Sequence, residues 1–360
     1  MTNLKKLGLS ALAGSLVAIS AQAGEMAVTG SANVTIKNGG NANNGGQSIG
    51  TDKDVAFTGT GELDNGYTFK VTTLMKDTNV VSSSFTSITM GSLGTVTFNG
   101  KNAGGAASKY DEEVPQAYEQ SSDALGNSSD LVGNNLDSAS ITYNSPAFEY
   151  AGVTASFDLD YAPQADDKVI NDGGQMAYSE SIGKGVGAGA TLTYDALTVG
   201  AYGAEVEDKT PTLAVGDASS DAFEGVWFAK YSFGPVSIGY SESYSDSGKV
   251  VTAEAATVAK VVRTAGGIFE SESMSIAYNV NDNLSVSFTE TEDVYDAQDK
   301  ATLAGGTDVV DTAATTKAIQ IAYSMGGMSI KAYNMSTDNP GYDSDAEDSS
   351  ITEIALGLAF

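Results

Sequence analysis

Two short runs of carboxylates are the residues of this chain best placed to do chemistry. Asp111, Glu112 and Glu113 are consecutive, with Glu119 close behind, and Asp343, Asp345, Glu347 and Asp348 form a second run. Closely spaced carboxylates repel anions and gather cations. They bind a hard cation tightly only when a loop wraps the ion. The second run lacks the glycine and distal glutamate of an EF-hand loop, so a solvated loop is the simpler reading and weak divalent-ion binding the sharper one. The chain has no histidine and no cysteine. That removes the usual general base, the commonest metal ligand, the thiolate nucleophile and any disulfide. No enzyme, metal centre or cofactor is expected. GKGVGAGA (183–190) is glycine-rich but lacks the Lys-Ser/Thr ending and following helix of a phosphate loop. It reads as a bend in a strand.

The elements that must position these acids are strands. In the final segment, 351–360, Ile354, Leu356, Leu358 and Phe360 alternate with Glu353, Ala355 and Gly357. A period of two gives a strand with one apolar face. At the other end, residues 1–23 carry the marks of a cleaved export signal: Lys5 and Lys6, an apolar run from Leu7 to Ile19, and Ala21-Gln22-Ala23 as the small-x-small site. Residues 24–360 then form one domain. No other apolar stretch approaches the ~20 residues a spanning helix needs. An exported chain that enters lipid without one must close a sheet on itself, because no backbone group can stay unpaired there. Localisation in a bacterial outer membrane follows.

Without residues 1–23 the chain keeps all 46 acids but only 16 bases, a net charge of −30, and Arg263 is its one arginine. Such a surface excludes nucleic acid as a partner and draws cations.

Alternating segments predict 16 strands near 25–37, 54–64, 67–76, 84–91, 94–101, 138–145, 152–162, within 174–194, 197–205, 223–233, 236–245, 266–280, 284–291, 317–325, 328–336 and 351–360. Short turns and long loops alternate between them, Asp64-Asn65-Gly66 being the clearest hairpin signal. The glycine-rich stretch in 174–194 is read as one strand, interrupted. Phe57, Val71, Phe157, Leu159, Trp227, Tyr231, Ile238, Ile276, Phe288 and Ile321 fall on an apolar face that suits lipid. The other face carries Ser, Thr, Asn and Gly with Glu62, Lys70, Lys76, Lys101, Asp158, Asp160, Lys230, Lys331 and Glu353. Its few aromatics include Tyr202, Phe228 and Tyr333. A hydroxyl-lined face of this kind suits a water-filled lumen, where a packed core would be apolar on both sides.

The sequence resembles the trimeric general porins of Gram-negative outer membranes. TMGSLGTVTFNGKNAGG (89–105) is similar to the family's turn, strand and Gly-Arg corner before the constriction loop, and SASITYNSPAFEYAGVTASFDLDYA (138–162) to the strand–turn–strand after it. The resemblance implies an all-β transmembrane antiparallel barrel of about 16 strands, a homotrimer set in outer-membrane lipid, and passive diffusion of small hydrophilic solutes and ions. It also implies that loop 102–137 folds into the lumen. The loop's own residues leave an external acidic loop equally open. Pro115 suits the first turn of a short helix with Asp111, Glu112 and Glu113 at its positive end.

The resemblance makes Asp111, Glu112, Glu113 and Glu119 the acidic side of the constriction. The family's opposing arginines are missing: the corner is Gly100-Lys101, leaving Lys101, Lys70 and Lys76, with Lys37 and Lys331, as a weaker basic wall. A cation-preferring channel is expected. The alternative is a surface adhesin or structural barrel acting through acidic outer loops.

Overall fold

The structure is a computed structural model that describes residues 23–40, 45–77, 80–111, 113–121, 136–166, 181–209, 220–248, 256–257, 260–261, 268–296 and 311–360. Residues 1–22, where most of the expected export signal falls, lie outside them, as do Glu112 and Arg263.

Seventeen hydrogen-bonded segments form one antiparallel sheet, and two of them are halves of one strand, so the barrel has 16 strands. In chain order these are β1 (Ala23–Gly40), β2 (Gly46–Glu62), β3 (Thr68–Met75), β4 (Val81–Thr89), β5 (Thr95–Lys101) and β6 (Ser140–Asn144, resuming at Phe148–Tyr150). Then come β7 (Val153–Ala162), β8 (Ile182–Tyr194), β9 (Leu197–Asp208), β10 (Ala222–Phe233), β11 (Val236–Asp246) and β12 (Ile268–Asn281). The last are β13 (Leu284–Asp296), β14 (Thr312–Met325), β15 (Met328–Asp338) and β16 (Ser349–Ala359). The gap in β6 holds Pro146, which has no N–H to give the ladder.

The sheet closes where β16 pairs with β1, from Ser31 opposite Ala359 to Gly40 opposite Ser350. One step further, Gly30 and Phe360 exchange backbone N–H···O bonds of 2.8 and 2.9 Å. Closure leaves no open edge along this seam, the condition for a sheet in lipid. The Phe360 ring covers Gly30, where a Cβ would come within 2.5 Å of it.

Short turns gather at one end of the barrel and longer connections at the other, as the sequence predicts. Two expectations need correction. The connection expected over 38–53 is mostly strand, since β1 and β2 stay paired as far as Gly39 opposite Gly46. Pairing overrides the poor strand propensity of its Gly and Asn residues. The stretch expected to be an interrupted strand is unbroken over Ile182–Tyr194. Gly185, Gly187 and Gly189 all lie on its inner face, and a Cβ at each would meet Leu136, Tyr202 and Tyr110 respectively. They are a seat for other side chains.

The outer face is apolar and exposed, with Phe57, Phe157, Leu159, Trp227, Ile238, Ile276, Phe288 and Ile321 among its residues. On β11–β13 this face turns acidic towards the loop end. Glu242 stands opposite Glu272, and Glu272 opposite Glu292. Glu242 accepts from Trp227 Nε1 at 2.9 Å and from the Tyr240 hydroxyl at 2.5 Å. The inner face buries Asp158, Asp160, Thr142, Thr289, Thr291, Thr316, Gln320 and Glu353.

Candidate functional site

Against this polar interior lie the described residues of the chain between β5 and β6, which include 102–111 and 113–121. Its base is closed by the Ala103 N–H to the Asp137 carbonyl, 2.9 Å. A single 3-10 turn, Ala107–Lys109, then delivers Tyr110 to the wall of β7 and β9. Tyr110 is 0% exposed, donates to Asp158 at 2.5 Å, and stacks on Tyr202 with ring centroids 5.5 Å apart. Asp158 also receives Lys109 Nζ at 2.7 Å and Asn144 Nδ2 at 2.8 Å. Its neighbour Asp160 accepts the Ala106 N–H at 2.8 Å, Thr142 Oγ1 at 2.5 Å and the Tyr202 hydroxyl at 2.9 Å. Two buried carboxylates are thus satisfied by the groups that dock the loop. Burial without such partners would be costly.

The second half of the described loop reaches the far wall. Pro115 packs on Gly239 of β11, where a Cβ would be 2.3 Å from its ring. Ser287 Oγ of β13 accepts the Ala117 N–H at 2.9 Å, and Gln320 Oε1 of β14 accepts the Tyr118 N–H at 2.7 Å. Gln320 Nε2 returns a bond to the Glu119 carbonyl at 2.5 Å. The Tyr118 hydroxyl donates to Glu353 of β16 at 2.6 Å, and Glu353 also receives the Tyr333 hydroxyl at 2.9 Å and Lys37 Nζ at 2.7 Å.

The helix expected from Pro115 onward is therefore absent: residues 113–121 run as bends and extended chain. Side chains of the wall take the N–H groups that helical carbonyls would have taken. Burial, reinforced by the carboxylate each one donates to, holds the Tyr110 and Tyr118 phenols well above the usual tyrosine range. Burial also raises the carboxyl of Asp137 at the base of the loop, against the Ser138 hydroxyl that favours its ionised form.

The residues singled out in the sequence have different surroundings. Glu113 is paired with Lys230 of β10. Asp111 borders a small chamber together with Gln116 and Gln120. Glu119 shares a cavity of about 460 Å³ with Tyr118, Lys37, Lys331, Asp52 and Glu353. Lys331 Nζ lies 5.0 Å over the Tyr118 ring. Lys101 donates to the Val81 carbonyl at 2.9 Å, Lys70 sits 5.4 Å from the Phe85 ring centroid, and Lys76 follows the end of β3. Among the described residues these three lysines form no ion pair with the loop acids. The bases that meet carboxylates here are Lys37, Lys109 and Lys230. The inward aromatics Tyr202, Phe228 and Tyr333 are buried, and Tyr110 and Tyr118 pack against them. The second acidic run is not a free loop throughout, since Tyr342 beside it is buried against Phe269 and Tyr295.

No family model matches this sequence, and no curated protein matches it. Solved structures do. OmpF of Salmonella typhi, in complex with daunomycin, is 13% identical with a TM-score of 0.66, over 93% of this chain and 97% of that one. An anion-selective porin from Comamonas acidovorans is 14% identical with a TM-score of 0.61, over 93% and 99%. The outer-membrane channel DcaP of Acinetobacter baumannii is 11% identical with a TM-score of 0.59, over 94% and 98%. At such identities the likeness is one of fold, and that fold is the barrel of the outer-membrane porins.

Proposed function

We propose that this chain is a passive outer-membrane diffusion channel for small hydrophilic solutes and ions, with a preference for cations. The observation that carries the reading is the inner face: a closed barrel, apolar outside, whose polar interior is crossed by an acid-bearing loop bonded to opposite walls. A bare barrel of this strand number is too wide to sieve solutes, and a bonded loop narrows it. The selectivity residues are Asp111, Glu112, Glu113 and Glu119, with Lys101, Lys70 and Lys76 as a more distant basic wall. A fold shared with an anion-selective porin fixes no sign of selectivity, so the lining must set it. The reading includes export through cleaved signal 1–23, a homotrimer in outer-membrane lipid, and neither cofactor nor catalysis.

Purified protein in planar bilayers should give stepwise conductance and, in a KCl gradient, a reversal potential of cationic sign. A barrel acting only through acidic outer loops would give no steps, and an anionic sign would remove the preference.

A further inference from the structure

We propose that the cavity between the loop and the barrel seam is a weak binding site for short zwitterions of dipeptide length, carboxylate on Lys331 and ammonium on Asp52. The inference rests on the diffusion-channel reading and names one class of solute that such a channel holds in transit.

The seam supplies two opposite charges with a low floor between them. Lys331 of β15 stands opposite Ala355 of β16. Two positions along, Gly357 of β16 stands opposite Asn33 of β1, and Asn33 opposite Asp52 of β2. All five residues border the cavity, as Tyr118 and Glu119 do from the loop. At Gly357 a Cβ would fall 2.7 Å from Ser329 Oγ and 3.0 Å from Asn33 Oδ1, so a bare backbone keeps the floor low there.

Neither charge is spent inside the protein. Among the described residues Lys331 forms no ion pair. Its Nζ lies 5.0 Å over the Tyr118 ring, a contact that leaves N–H donors for a solute. Asp52 pairs with no described base either, and receives Asn33 Nδ2 at a long 3.4 Å. Lys37 is taken by Glu353 at 2.7 Å. Around the cavity Asp52, Glu119 and Glu353 outnumber Lys37 and Lys331, so a solute of net negative charge is repelled. One carrying both signs answers Lys331 and Asp52 together.

Spacing selects the length. Three strand-to-strand steps and a two-residue offset put the two backbones roughly 16 Å apart. Inward side chains of a closed barrel converge, so the charged groups stand nearer than this. An extended dipeptide spans about 7 Å, and a charge-assisted hydrogen bond of about 2.8 Å at each end extends its reach to roughly 13 Å. A single amino acid, at about 3.5 Å, reaches one charge at a time. The cavity, of about 460 Å³, leaves water around such a solute, which suits reversible binding in a passive pore.

The test titrates glycylglycine into the full barrel in detergent, read by saturation-transfer NMR, and adds the same solute to single channels in planar bilayers. Binding with a Kd of roughly 1–10 mM and a saturable fall in conductance are expected. Glycine, N-acetylglycine and glycinamide should bind roughly fivefold more weakly. Lys331→Met, which keeps a stem on the Tyr118 ring, and Asp52→Asn should each weaken glycylglycine binding by a similar factor. The charge exchange Lys331→Asp with Asp52→Lys should restore most of it, since the dipeptide can turn round; a purely structural role gives no such rescue. No saturable binding, equal binding of glycine and N-acetylglycine, or full binding in both single variants would overturn the inference. Absent binding beside normal stepwise conductance would strike the site alone. Binding without conductance would uphold the site and strike the channel reading alone.

Discussion

The Tyr118 hydroxyl stands 2.6 Å from Glu353 Oε1, joining the middle of the long loop to the strand that closes the barrel. Glu353 keeps Tyr333 and Lys37 when that phenol is removed. Tyr118→Phe should therefore cost only about 1 kcal/mol of stability, while freeing the loop to move. The expected signature is a small drop in unfolding temperature with a clear rise in open-channel current noise. Unchanged noise would mean that Gln320 and Ser287 hold the loop without help from Glu353.

Gly189 faces Tyr110 so closely that a Cβ would fall 2.5 Å from the ring. Gly189→Val should expel Tyr110 from its place between Asp158 and Tyr202. Lys109, bonded to Asp158 and Ser156, would come free with it, so trypsin should cut after Lys109 faster in the variant. Gly59→Val, where no atom lies within 4 Å, is the matched control and should cut at the wild-type rate.

Glu113 and Lys230 are a mutually cancelling pair. Lys230→Met should raise cation preference and Glu113→Gln should lower it. One unit charge some 5 Å from a permeating ion in water is worth about 0.8 kcal/mol, so each permeability ratio should move roughly fourfold. Reversal potentials in dilute KCl measure both. Shifts of the same sign would show that neither group faces the ion path.

Neutralising Asp111, Glu112 and Glu113 together should weaken cation preference even in 1 M salt. The run Asp343, Asp345, Glu347 and Asp348 lies in the last connection at the loop end, where screening acts within roughly 10 Å at 0.1 M salt. Its neutralisation should matter only in dilute salt. Equal effects from the two sets would argue against a constriction at the first.

Tyr110 and Tyr118 have phenols raised by burial and by the carboxylates they face. A group whose folded pKa is raised gives stability that is complete below its unfolded pKa, about 10 for tyrosine, and lost as pH climbs beyond it. In an alkaline absorbance titration these two should ionise well after the exposed tyrosines, and only as the barrel opens. In the Tyr110→Phe, Tyr118→Phe double variant that late step should lose the absorbance of two phenols.

The strands, their order and their two faces are legible in the sequence because each depends on neighbours along the chain. A period of two decides which residues share a face, and a tight turn decides which strand comes next. Phe360 is an example: the alternation of its segment marks a strand with one apolar face, and the bonds to Gly30 show which strand it joins. The interior could not be read this way. Glu113 meets Lys230 across 117 positions, and Tyr118 meets Glu353 across 235. Which inward residues share a height depends on the tilt and stagger of the closed barrel, a property of all the strands together. The same distance hid the reason for the glycines of β8, which look like a bend until Tyr110 and Leu136 arrive from the loop to occupy them. It hid the missing helix at Pro115 as well, because the groups that bind its N–H donors, Ser287 and Gln320, belong to strands formed much later in the chain. Local periodicity built the wall; only closure of the barrel decided what the loop would touch.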